Sequence, residues 1–103
     1  MESSRLDELR RDIDRLDTEI IALLAERFKL TEDVGLYKAA NRLEPQDSLR
    51  ESKQFEKIAR LSNDVSLNPD YATAIYRCLM DIVISRHSEL RRTYEERNRI
   101  GAS

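Results

Sequence analysis

Arg27 stands where a helix face calls for an apolar side chain. Leu6, Leu9, Ile13, Leu16, Ile20, Leu23, Leu30, Val34 and Tyr37 recur three and four residues apart, the period of one face of an α-helix. The series needs a member at position 27 and finds a guanidinium. Lys38 follows eleven residues later, about three turns on, so the two cations lie near one face. A buried guanidinium without an anion is very costly. The anion can be internal, such as Asp47 or Glu51, or the long stems can carry both charges out to water. It can also be a ligand. A small dicarboxylate suits the pair, because arginine grips a carboxylate through two parallel N–H bonds and lysine makes a point contact on one oxygen.

A second group, Asp47, Arg50 and Glu51, gathers where another helix should begin. Capping accounts for both acids: Ser48-Leu49-Arg50-Glu51 has the form of a capping box, and Asp47 is an alternative N-cap. Arg50 has no such account, since a cation opposes the dipole at a helix N-terminus. His87 is the sole histidine and falls one turn beyond Val83, near the inward face of the last helix. A lone histidine is more often a satisfied boundary residue than a catalyst. The chain has no Ser-His-Asp or Cys-His grouping, no glycine-rich phosphate loop and no spacing of metal ligands. Covalent or metal chemistry is not expected, and an enzyme built from these residues works by holding and polarising its substrate.

Three helices must position these groups. The first runs from about Ser4 to Ala40, continuous through Gly35 at a cost of about 1 kcal/mol relative to alanine. Asp7 and Arg11 form a supporting i,i+4 pair on it. Pro45 disfavours helix at the residue before it, so 41–46 is a break. A second helix over about 48–62 turns Leu49, Phe55, Ile58 and Ala59 inward. Asn68 and Pro69 open the third as N-cap and first helical residue; it ends in the high 90s, before Gly101, and its segment after Arg91 is a polar, solvated tail. The expected fold is all-α, one domain over 1–103. A first helix of some 35 residues is about 52 Å long, whereas a compact domain of this size has a radius of gyration near 13 Å. Two shorter helices cannot cover its apolar stripe, so an intertwined homodimer that pairs the long helices is expected. The competing expectation is a monomer whose first helix bends at Gly35.

Composition narrows the function classes. Of 103 residues, 37% are charged, but 18 bases against 20 acids leave a net charge of −2; the basic excess of a nucleic-acid binder is missing. Two glycines and two prolines are too few for a many-turned β-sandwich. One cysteine, Cys78, forms no internal disulfide. No apolar run approaches a membrane span, and the first residues lack the apolar core of a signal peptide. A cytoplasmic protein is expected.

Leu9-Arg10-Arg11-Asp12-Ile13-Asp14-Arg15-Leu16-Asp17, Leu23-Leu24-Ala25-Glu26-Arg27, Val34-Gly35-Leu36-Tyr37-Lys38 and Asp47 with Arg50-Glu51 together resemble the all-helical class of chorismate mutases. The resemblance covers about residues 6–90. Each motif is weak alone; the ordered set at these spacings is specific. It implies an intertwined homodimer with two active sites that converts chorismate to prephenate, without a cofactor, on the route to phenylalanine and tyrosine. It also implies roles. Arg10 matches an arginine that reaches into the other subunit's site, with Arg11 as a competitor. Arg27 matches an arginine that clamps substrate carboxylate, and Lys38 a lysine on carboxylate and on the ether oxygen of the breaking bond. Asp47 and Glu51 match residues near the ring hydroxyl, and Arg50 an arginine that supports the pocket.

The third helix departs from the family pattern. Counted without gaps from Glu51, the family's serine falls on Val83 and its glutamine on His87. A slide of two residues offers Ser85 and Glu89 instead, but turns the helix by about 200° and its apolar face outward. The gap-free register is therefore preferred, with His87 as a donor to the ether oxygen in place of glutamine. Isochorismate pyruvate lyase and aminodeoxychorismate mutase share the fold and its cations. A non-catalytic helical dimerisation module, its cations merely salt-bridged, is the reading from a different class.

Overall fold

The computed structural model describes residues 2–102. Three helices follow one another: α1, Glu2–Ala40; α2, Ser48–Asp64; and α3, Pro69–Ala102. Among the described residues there is no strand, and no helix is long and apolar enough to cross a membrane. Gly35 does not break α1. The chain divides into two compact units, one up to Thr31 and the other from Glu32 onward.

The first unit is the greater part of α1. Its apolar series, Leu6, Leu9, Ile13, Leu16, Ile20, Leu23 and Leu30, is exposed throughout. Arg5–Glu8 (3.4 Å) and Arg15–Glu19 (3.8 Å) lie along the helix surface; such exposed pairs contribute little each. Arg11 does not meet the Asp7 carboxylate as expected. Its Nε donates to the Asp7 backbone oxygen at 3.4 Å, a local alternative that competes because an exposed ion pair is so weakly favoured.

The second unit contains the core. Ile58, Ala72 and Met80 are buried together, with Phe55 and Tyr76 packed against them. Ser62 is also buried, and its hydroxyl donates to the Ile58 carbonyl at 2.6 Å, which satisfies a polar group that is costly to leave unmade. Leu49, expected inward, is 68% exposed. It lies six residues before Phe55, about 120° away around the helix, and so falls off the buried stripe.

Helix ends account for the other departures. Asp47 is the N-cap of α2: its backbone is extended and its Oδ1 accepts from the Arg50 N–H at 3.0 Å. α3 opens as expected, with Asn68 Oδ1 accepting from the Asp70 N–H at 2.9 Å. It does not stop before Gly101 but continues to Ala102; a lone glycine weakens a helix without ending it unless the backbone turns left-handed there. The C-terminus of α2 closes with Leu67 N–H to Ser62 O (2.8 Å) and Ser66 N–H to Asn63 O (3.3 Å), around Ser66 at φ 58°. The end of α1 repeats the pattern: Leu43 N–H to Lys38 O (2.9 Å) and Arg42 N–H to Ala39 O (3.4 Å), around Arg42 at φ 56°. This is the Schellman arrangement, with serine and arginine in the place glycine prefers. Left-handed backbone costs a side-chain-bearing residue about 1 kcal/mol or more. Ser66→Gly is therefore expected to stabilise the fold by about 0.5–1 kcal/mol, read as a higher urea midpoint; a lower midpoint contradicts the assignment.

Candidate active site

Gly35 is a point of close approach of α1 to α3 within the second unit. A Cβ there would stand 2.5 Å from His87 Cδ2 and 2.7 Å from Leu90 Cδ1. The missing side chain lets the imidazole lie against the backbone of α1. His87 is only 3% exposed, and its Nδ1 is closed off from solvent. Val83, one turn earlier, is half-buried, whereas Ser85 and Glu89 are exposed. Glu89 pairs with Arg86 at 3.5 Å on the solvent side. The two-residue rotation thus separates the rival registers physically: one turns Val83 and His87 inward, the other would need outward-facing groups.

Lys38 lies one turn beyond Val34, half-buried, and its Nζ donates to the Pro45 carbonyl at 3.2 Å. This draws the ammonium over the loop that leads into α2. Asp47 sits at the end of that loop with Oδ1 committed to the helix cap; Asp47 and Arg50 are both exposed. Glu51 was expected to close a capping box. Instead its Oε2 accepts from Gln46 Nε2 at 2.9 Å and its Oε1 from Arg77 Nη1 at 3.2 Å. Asp47 already serves the cap, so the Glu51 carboxylate is released to other partners. The second unit therefore brings Lys38, the 43–46 loop, Asp47, Arg50 and Glu51 to one end of α2, and sets His87 against Gly35. Arg10 and Arg27 belong to the first unit, Arg10 exposed and Arg27 half-buried with its Nη1 closed off from solvent. Among the described residues, no three His, Cys, Asp or Glu side chains gather as a metal site would require.

Sequence reasoning missed the ion pairs of three arginines that frame the second unit. Arg86 grips Glu32 in a fork, Nε to Oε1 at 2.9 Å and Nη2 to Oε2 at 2.8 Å. Arg91 bridges Glu44 (3.0 Å) and Glu95 (3.1 Å), tying the loop to α3. Arg77 joins Glu51 across 26 residues of sequence. Arg91–Glu95 is an i,i+4 pair; no local spacing signals the others, whose partners lie 26 to 54 residues apart. Gly35 did carry a signal: a glycine inside a strong helical pattern commonly marks a close packing contact.

The Arg86 hydrogen bond, reinforced by its charge, holds the Glu32 carboxyl below its ordinary 4.5 despite an opposing desolvation contribution. A depressed carboxyl pKa stabilises the fold above the unfolded value, and that stability is lost as pH falls through the folded one. Both side chains are more than a third exposed, so the effect is modest and screened by salt. The melting temperature of the unsubstituted chain is expected to fall more than that of Glu32→Gln between about pH 5 and about pH 3. Parallel curves would contradict a role for this pair.

The family profile described as chorismate mutase type II matches residues 9–88. A protein of Aquifex aeolicus named bifunctional chorismate mutase/prephenate dehydratase is 38% identical over 92 residues, which is 86% of this chain and 25% of that protein. A bifunctional protein of the same name from Buchnera aphidicola of Acyrthosiphon pisum is 25% identical over 91 residues, 88% of this chain and 24% of its own. A Methanocaldococcus jannaschii protein named chorismate mutase is 28% identical over 92 residues, 89% of each chain. The chain thus spans about a quarter of the bifunctional relatives and most of the shorter one. With three helices, no strand among the described residues and the matched span running from α1 into α3, the chain belongs to the type II chorismate mutase family.

Proposed function

We propose that this chain is a chorismate mutase, an isomerase that rearranges chorismate to prephenate in aromatic amino acid biosynthesis, working in the cytoplasm as a homodimer. The observation that carries the reading is the family match over residues 9–88, a span that holds Arg10, Arg27, Lys38, Asp47, Arg50, Glu51 and His87 in order. The relatives' names speak for chorismate as substrate. No observation favours the isochorismate, aminodeoxychorismate or non-catalytic readings.

The reaction is unimolecular and pericyclic, so it needs no nucleophile, base or cofactor. The catalyst must fold a flexible dicarboxylate into a compact reactive conformer. Arg27 and the partner's Arg10 clamp the carboxylates. As the C–O bond breaks, negative charge grows on the ether oxygen. Lys38 and His87 donate to that oxygen and stabilise the transition state more than the ground state. Asp47 and Glu51 face the ring hydroxyl, and Arg50 supports that wall. Incubation with chorismate, following loss of its absorbance and identifying the product, tests the reading: prephenate is expected, and unchanged chorismate would overturn it.

The exposed apolar series of α1 supports the homodimer. Seven leucines and isoleucines along one face form an apolar surface of the kind a partner covers, and a second copy of the same helix offers a matching stripe. Sedimentation at micromolar concentration is expected to give about twice the 12.1 kDa chain mass, with dissociation and unfolding inseparable. A compact, active monomer would remove both the dimer and the cross-subunit role of Arg10.

A further inference from the structure

Arg77 has no part in the reading above. Its guanidinium lies over the Phe55 ring, 4.6 Å from the centroid, and its Nη1 reaches Glu51 Oε1 at 3.2 Å. Phe55 is one turn beyond Glu51 on α2, so ring and carboxylate together set the guanidinium. Glu51 is largely enclosed, its side chain 15% exposed, and Gln46 Nε2 holds the second oxygen at 2.9 Å. Both carboxylate oxygens are thus fixed by donors from outside the first turn of α2, one from the loop and one from α3. Asp81, 4.0 Å from Arg77 and 65% exposed, competes only weakly.

Charge gives this arrangement a consequence. An unpaired carboxylate facing a substrate ring attracts an ammonium more strongly than a hydroxyl. A carboxylate paired with arginine carries little net field, yet keeps lone pairs that accept from a neutral O–H. Asp47 caps α2 and Arg50 and Glu51 lie in its first turn, while Arg77 brings a cation from α3 directly onto the Glu51 carboxylate. We propose that Arg77 is a specificity-determining positioning residue. It fixes and neutralises Glu51, so that the site takes a dicarboxylate bearing a ring hydroxyl and rejects its ring-amino analogue. The proposal rests on the chorismate reading and on Glu51 facing the ring substituent.

The test uses the full chain with chorismate as substrate and 4-amino-4-deoxychorismate as competing ligand. Arg77→Met keeps a flexible apolar stem over Phe55 and drops the charge; Arg77→Lys keeps the charge. Arg77→Met is expected to lower kcat/KM for chorismate several-fold and to tighten binding of the amino analogue, changing the ratio of the two by at least about tenfold. Arg77→Lys is expected to restore most of the ratio. In a Glu51→Ala background, adding Arg77→Met is expected to leave the ratio unchanged, because the coupling runs through that carboxylate. A merely structural role would weaken both ligands in parallel and track the melting temperature. That parallel loss, or a ratio change that persists without Glu51, would overturn the proposal and leave the chorismate reading intact. Full activity of Glu51→Ala toward chorismate would overturn both the proposal and the placement of Glu51 beside the ring.

Discussion

Arg27→Ala and Lys38→Ala are each expected to cut kcat/KM on chorismate by at least about 10²-fold, the scale of losing one preorganised charge donor from an enclosed site. The two losses differ in kind. In the proposed mechanism Arg27 holds a carboxylate that is charged throughout the reaction, so its removal is expected to damage binding and the folding of the substrate into its reactive shape. In the same mechanism Lys38 donates to the ether oxygen, where charge appears only as the bond breaks, so its removal is expected to fall mainly on kcat. Neither substitution should unfold the chain. Alanine is the best helix former, and Lys38 loses one hydrogen bond to the Pro45 carbonyl, worth about 1 kcal/mol. Circular dichroism separates an unfolded variant from an inactive one. Normal turnover by either variant would show that the site is placed wrongly.

The second large effect is expected at His87. His87→Ala should lose at least about tenfold in kcat, whereas His87→Gln should keep most of the activity, because the amide also presents an N–H donor. His87 is 3% exposed and lies against Gly35, so its ring position depends on that glycine. Gly35→Ala would drive a methyl group to within 2.5 Å of Cδ2, and the imidazole must shift. Overpacking of this kind costs about 1–3 kcal/mol, and kcat should fall along with stability. A silent His87→Ala together with a damaging Ser85→Ala would move the site to the other register of α3.

These predictions lean on features that were legible in the chain to different degrees. The apolar period of α1 and the break in it at Arg27 could be read directly, because helix faces repeat at a fixed angle. Pro69 and Asn68 announced the start of α3 through local backbone chemistry, and the phase from Val83 to His87 followed from the same angle. The start of α2 was ambiguous, since Asp47 and the Ser48–Glu51 box both satisfy helix N–H groups. Arg77 and Gln46 give the Glu51 carboxylate partners outside the turn, which only tertiary structure can reveal. The ends of α1 and α2 were illegible in another way. Arg42 and Ser66 take left-handed backbone without being glycine, so residue type gave no sign of the turn. Gly101 misled in the opposite sense, as a glycine that stays helical.

We propose that one site turns over chorismate by charge supplied from two chains, Arg10 from one protomer and Arg27 with Lys38 from the other. Mixing Arg10→Ala with Lys38→Ala tests it most directly. Each variant alone is expected to be nearly inactive. In an equal mixture with full subunit exchange, half of the dimers are mixed, and each mixed dimer rebuilds one intact site beside one doubly damaged site. About a quarter of the unsubstituted activity should therefore return. Activity no greater than that of the separate variants, with exchange verified by differently tagged chains, would contradict a site shared between two protomers.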